Sequence, residues 1–151
     1  MIDDVDRIMA VMAAAFDPEY GEAWTRGQIE SALLIGNCHV ILVGPQGLGP
    51  AQGEPAAGFV LSRTSLDEEE LLLFAVAPEF RRQGLGAKML EHLYRNCRAR
   101  GVTHIHLEMR RGNPAESLYR SHGFEPVGQR PNYYRTSSGL RVDAITFRRR
   151  L

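Results

Sequence analysis

The stretch Val76-Ala-Pro-Glu-Phe-Arg81-Arg82-Gln83-Gly84-Leu85-Gly86-Ala87 concentrates more chemical potential than any other part of the chain. An apolar run enters a turn with two arginines and two glycines, and the turn leads directly into a helical stripe. The first turn of a helix has N–H groups without intrahelical partners and the positive end of the helix dipole, so it attracts anions. Gly84 and Gly86 allow the backbone to approach a phosphate with no Cβ in the way. Arg81 and Arg82 add charge-assisted donors. Other phosphate motifs do not match: there is no GxxxxGK[ST], and Met89 stands where GxGxxG needs its third glycine.

Two further residues suit proton transfer. Glu108 lies at the end of the alternating run Thr103–Met109, and Tyr119 lies in a short helical segment after it. Both fall at the carboxyl end of a strand, the crevice where open α/β sheets hold ligands. A carboxylate can accept a proton and a phenol can supply one. An exposed strand-end carboxylate and a half-buried core tyrosine are the plainer readings. His104, His106 and Glu108 share a strand face, but a fourth ligand has no source and alternation alone explains the pattern, so no metal is expected.

The elements that must position these residues follow from periodicity. Val5, Ile8, Met9, Met12, Ala13 and Phe16 recur at helical spacing behind Asp3 and Asp4, which could cap a first helix. Thr25 with Gln28 forms a capping box for a second helix through about Ile35. Cys38–Val43 and Ala57–Arg63 read as strands, separated by a Gly- and Pro-rich loop. Ser65–Glu70 reads as a polar turn, and Leu71–Val76 as a strand buried on both faces. Leu85, Met89, Leu93 and Cys97 form a helical stripe that Gly101 ends. Asn113, Pro114, Glu116 and Gly123 punctuate a short helix over Pro114–His122. Phe124–Val127 and Asp143–Arg149 read as the last strands, with Arg130–Arg141 as a loop between them. The order gives one α/β domain around a mixed sheet.

Composition narrows the function class. Lys plus Arg and Asp plus Glu balance at 18 each, and 44% of residues are hydrophobic. Those values describe a globular chain with no global pull toward nucleic acid or membrane. The apolar stretch Ile8–Phe16 is far short of a bilayer span, and Asp3, Asp4 and Asp6 stand where a leader would carry positive charge. A cytoplasmic protein is expected, with Cys38 and Cys97 as small packing residues and no disulfide.

Arg81-x-x-Gly84-x-Gly86 after an apolar strand resembles the acetyl-CoA pyrophosphate motif of the GNAT superfamily of N-acetyltransferases. Leu107-Glu-Met-Arg110, Asn113-Pro-Ala, Leu118-Tyr119, Gly123-Phe124 and Arg130-Pro-Asn-Tyr133-Tyr134 are together similar to its RimI type. The resemblance implies a mixed, mostly antiparallel central sheet flanked by helices, over a single domain spanning residues 1–151. It implies that Phe74, Ala75 and Val76 lie along the pantetheine arm, and that Arg81, Arg82, Gln83, Gly84, Leu85, Gly86 and Ala87 wrap the pyrophosphate. It also implies that Glu108 is the general base, that Tyr119 is the general acid, and that Asn113 contacts the coenzyme. The implied reaction is acetyl transfer from acetyl-CoA to the N-terminal alanine of a ribosomal protein, without metal, nucleic acid or membrane. Lysine or small-molecule amines are alternative acceptors, and a non-catalytic acyl-CoA-binding module is an alternative role. Trp24, Tyr133 and Tyr134 are candidates for the acceptor pocket.

Three features depart from that pattern. Asn113 and Ala115 are one residue closer than usual, so Asn113 could serve only as a helix cap. Val142 replaces an acidic residue before Asp143. Only Met1 and Ile2 precede the first helix, so the customary first strand is expected to be missing or cut short.

Overall fold

The computed structural model describes residues 3–151. Met1 and Ile2, and with them the question of a first strand, lie outside the described residues. Helices α1 (Asp4–Ala15) and α2 (Arg26–Ile35) come first, joined through a 3-10 turn at Pro18–Tyr20. Strands β1 (Cys38–Val43), β2 (Gly58–Ser65) and β3 (Glu68–Val76) follow, then helix α3 (Leu85–Ala99) and strand β4 (His104–Arg110). Helix α4 (Glu116–Ser121) and strands β5 (Glu125–Arg135) and β6 (Arg141–Arg150) complete the chain. The sheet runs in the order β1-β2-β3-β4-β6-β5. The β3–β4 pair is parallel and the other four pairings are antiparallel, as the mixed, mostly antiparallel reading requires.

The caps work as their residue types dictate. Asp3 and Asp6 make a reciprocal capping box at α1, and Thr25 and Gln28 make another at α2. On one face of the sheet Met89, Leu90, Leu93 and Cys97 of α3 pack against Ile105, Leu107 and Phe147. On the other, Ile8, Val11 and Met12 of α1 and Ile29 of α2 pack against Phe59, Leu61 and Leu73. Burial pushes the Cys97 thiol up to about 11, so it packs as an inert residue.

Strand β3 differs from its expected form in two ways. It begins at Glu68, so the supposed turn over Ser65–Glu70 shrinks to Leu66 and Asp67. Acidic residues look like turn material in sequence, but here Glu69 is fully buried with three side-chain partners, two on β2 and one just past α3. It accepts hydrogen bonds from Ser62 Oγ and from Thr64 Oγ1 (2.5 Å), and pairs with Arg100 Nη2 at 2.9 Å. A second surprise is a bulge: Leu61 pairs with Leu73 while Ser62 pairs with Leu71, which leaves Leu72 as an extra residue. Leu71 and Leu73 therefore enter opposite cores. The strand does carry apolar side chains on both faces, but Leu72, Phe74 and Val76 stay half-buried because the edge toward β4 is open.

The buried Glu69 depends on its cation. Arg100→Met would leave the carboxylate with hydroxyl partners only, at a cost near the low end of the ~3–5 kcal/mol typical of a broken buried pair. A chain of this size should then melt about 6–12 °C lower by circular dichroism. A shift under about 2 °C would show that the hydroxyls alone hold the charge.

Candidate active site

Strands β3 and β4 pair only over Glu68–Glu70 with His104–His106. Past that point β3 continues along β2 to Val76, and β4 continues along β6 to Arg110. The facing edges of Leu71–Val76 and Leu107–Arg110 thus separate and leave peptide groups turned toward a gap. A cavity of about 280 Å³ opens there, walled by Leu71–Phe74 on one side and Leu107–Met109 on the other. Unpaired strand edges bond to whatever amide-bearing chain lies between them.

At the open end, β3 runs through a 3-10 turn (Pro78–Phe80) into α3. Arg82 and Gly84 both take left-handed backbone (φ 62° and 79°), which folds the turn back so that α3 starts at Leu85. Arg82 adopts this conformation at a steric cost that glycine would avoid. A Cβ on Gly86 would lie 2.8 Å from Leu118 Cδ2, so any side chain there would have to displace Leu118 at the contact of α3 with α4. The side chains of the turn divide their work. Arg81 Nε donates to Val76 O and its Nη2 to Ala15 O, both at 3.1 Å, tying the end of β3 to the end of α1. Gln83 Nε2 donates to Glu79 O at 3.4 Å. Leu85 is core. Among the described residues Arg82 makes neither a hydrogen bond nor an ion pair, and it is exposed beside the first-turn N–H groups of Leu85, Gly86 and Ala87. Arg82 is thus the cation available to an anion, while Arg81 braces the turn.

Glu108 and Tyr119 both line the cavity, so the structure brings the two proton-transfer candidates to one place. Glu108 is a quarter exposed, receives a hydrogen bond from Thr146 Oγ1 at 3.4 Å and pairs with Arg130 Nε at 3.3 Å. Arg130 is 61% exposed, so water screens that pair. The Tyr119 ring is clamped edge-on between Phe74 (5.7 Å) and Phe124 (5.6 Å) and is only 6% exposed. Burial, with the Glu22 carboxylate adding to it, holds its phenol well above the ordinary tyrosine range. Asn113 also lines the cavity, while its Oδ1 accepts from Ala115 N at 2.9 Å.

Two sequence expectations need correction at the acceptor side. Residues Arg130–Arg135 belong to β5, and the loop expected over Arg130–Arg141 shortens to Thr136–Leu140. A bulge between Arg130 and Tyr134 hid this strand, because Pro131 and a left-handed Asn132 (φ 53°) break its alternation. Asp143 accepts from Asn132 N (2.9 Å) and Gln129 Nε2 (2.7 Å), which fixes the bulge and holds the Asp143 carboxyl below its usual range. Tyr134 then reaches the cavity, whereas Tyr133 is 51% exposed and packs against it at 5.2 Å. Helix α4, expected over Pro114–His122, spans only Glu116–Ser121. Asn113 caps a turn before it, and Glu116 pairs with Arg120 at 2.9 Å instead of closing a capping box. Sequence reasoning missed Phe16, Gly21 and Glu22, which also line the cavity. Trp24, picked out as an acceptor-pocket residue, lines it beside them.

Burial pushes the Tyr134 phenol up to about 12, with Glu108 and Glu22 adding to the effect. Unfolding returns both Tyr119 and Tyr134 to a value near 10, so between about pH 10 and 12 the folded chain holds more protons than the unfolded one. Stability should therefore fall as pH rises through that window. Burial raises the Tyr94 phenol as well, so at pH 11, of five tyrosines in all, about two to three should ionise only when urea unfolds the chain, read as tyrosinate absorbance. No increment on unfolding would contradict the buried placement.

Residues 37–126 match the model of the acetyltransferase (GNAT) domain family. The chain is 44% identical over 95 residues to the [ribosomal protein bS18]-alanine N-acetyltransferase of Escherichia coli strain K12, a match covering 62% of this chain and 64% of that protein. It thus spans just under two thirds of the length of that curated relative. A putative enzyme of the same name from Bacillus subtilis is 27% identical over 135 residues, covering 88% of this chain and 82% of the relative. The crystal structure of the ribosomal-protein-S18-alanine N-acetyltransferase from Escherichia coli superposes with a TM-score of 0.80 at 31% identity, over 98% of this chain and 89% of that one. The family model covers more than half of the chain, on the same strands, turn and helix that build the cavity: this protein belongs to the GNAT acetyltransferase family.

Proposed function

We propose that this chain, as one N-acetyltransferase domain, moves acetyl from acetyl-CoA to the N-terminal α-amine of a cytoplasmic protein, an alanine-terminated ribosomal protein being the favoured acceptor. The observation that supports this most is the meeting of Glu108 and Tyr119 in one cavity between two open strand edges. The named relatives support the acceptor class, since enzymes for the alanine terminus of protein bS18 are what the chain resembles at 44% identity. Among the described residues no helix is long and apolar enough to cross a membrane.

The residues suit each part of the substrate. Along Phe74, Ala75 and Val76 the peptide groups that face the open edge of β3 suit the amides of the pantetheine arm, the Val76 carbonyl itself being held by Arg81. The N–H groups from Arg82 to Ala87, with the Arg82 guanidinium, suit a pyrophosphate. At the reacting end the amine must lose a proton as its nitrogen bonds to the acetyl carbon and the carbon–sulfur bond breaks. Glu108 accepts that proton, directly or through water, and Tyr119 supplies one to the departing sulfur. Its raised pKa keeps the Tyr119 phenol neutral at neutral pH, so it enters the reaction carrying a proton. An α-amine has a pKa of about 7.7–8.0 against about 10.4 for lysine, so a lone carboxylate suits the easier deprotonation. A non-catalytic coenzyme-binding module would need neither side chain in the cavity.

Glu108→Gln should lower turnover about 10²–10⁴-fold with little change in coenzyme affinity, measured by steady-state kinetics. Wild-type turnover across neutral pH would end the assignment of Glu108 as base. A peptide with both an N-terminal alanine and an internal lysine should gain acetyl on the α-amine, located by tandem mass spectrometry. Label on lysine alone would reject the N-terminal acceptor and keep the acetyltransferase.

A further inference from the structure

The acceptor side of the cavity is walled by the link between α1 and α2, which packs Phe16 and Trp24 at its two ends against the core and leaves small and polar residues between them. Gly21 and Glu22 line the cavity there, and the half-buried Trp24, also lining it, follows. Between those ends the link is held by a side chain from the strand that carries Glu108. Arg110 sits two residues further along β4, on the same face. Its guanidinium lies 3.6 Å from the centroid of the Tyr20 ring, and its Nε lies 3.3 Å from Glu22 Oε1. Both charged side chains are shielded, Arg110 being 13% and Glu22 20% exposed, so this pair is stronger than one at the surface. The link is held at a second point, where Ser137 N in the β5–β6 turn donates to Glu19 O at 2.9 Å.

We infer that Arg110 is a positioning residue for the acceptor: by gripping Tyr20 and Glu22 it locks the Pro18–Trp24 segment across the end of β4, at a fixed distance from Glu108. The inference rests on the proposed acetyltransferase reading. The geometry separates the two substrates, because the coenzyme side of the cavity is built from β3 and the α3 turn, which Arg110 does not touch. Glu22 lies near both phenols of the cavity, since its charge helps to raise Tyr119 and Tyr134. Moving the link would therefore disturb the acceptor wall and leave the phosphate turn in place. A flat guanidinium can stack on a ring and pair sideways with a carboxylate at once, which an ammonium cannot do.

The test combines kinetics with the fluorescence of Trp24, the single tryptophan of the chain. Arg110→Met should raise the acceptor KM about tenfold and change the coenzyme KM less than twofold. Acrylamide should quench Trp24 at least twice as efficiently in that variant, a readout that needs no activity. Glu22→Gln should shift the acceptor KM the same way, and the double variant should be no worse than the weaker single one. If Arg110→Met does not fold, Arg110→Lys, which keeps the charge and loses the stack, should still raise the acceptor KM at least threefold. Unchanged Trp24 quenching and acceptor KM in a folded variant would overturn the inference, as would an equal rise in coenzyme KM. If the wild-type chain acetylates no amine, the functional reading fails, and quenching alone still decides whether Arg110 holds the link.

Discussion

Strands β3 and β4 share a parallel ladder of only three residue pairs, and the chemistry described above is built around its end. Peptide groups are costly to leave without partners, so two strands separate only if each is held firmly on its other side. Here β2 holds β3 through Val76, β6 holds β4 through Arg110, and Arg81 ties the end of β3 to α1. At the closed end the buried Glu69 binds side chains of β2 and of the residue after α3, anchoring β3 where the ladder still exists. The bulge at Leu72 adds twist at the point of separation and sends neighbouring leucines into opposite cores. The gap is thus a consequence of pairings elsewhere, and it supplies the backbone groups that a pantetheine arm would use.

Around that gap, burial sorts the ionisable groups by task. Glu108 is partly open to water and paired with an exposed arginine, so its carboxylate can be reached from the cavity. Tyr119 lies between two phenylalanines, where burial favours its neutral, proton-bearing form. One strand and one short helix therefore present an acceptor and a donor with opposite solvent access. The same β4 face continues to Arg110, so the proposed base and the proposed acceptor wall are referenced to one strand.

Much of this was legible in the sequence where a local rule governs. Gly84 and Gly86 announced a turn, Thr25 and Gln28 announced a cap, and Glu108 and Tyr119 stood at the ends of well-patterned elements. What was hidden depends on distant partners. Glu68–Glu70 looked like turn residues because the arginine that neutralises Glu69 lies 31 positions away at Arg100. The extension of β5 was masked by a bulge that only Asp143 stabilises. Glu22 carries no local signature, since its meaning comes from Arg110, 88 residues further on. Arg81 and Arg82 look alike in sequence and differ in the structure because Arg81 donates to two carbonyls while, among the described residues, the left-handed Arg82 leaves its guanidinium free.

Hydrogen exchange of backbone amides with and without coenzyme A, read by mass spectrometry, tests the central claim most directly. If the arm lies along the open edge of β3 and the pyrophosphate on the α3 turn, exchange should slow over Leu71–Val76 and over Arg82–Ala87 together. Cys38–Val43, on the far edge of the sheet, should be unaffected. Protection at the turn alone, equalled by ATP, would mean a generic phosphate cradle and would contradict the role assigned to the separated strands.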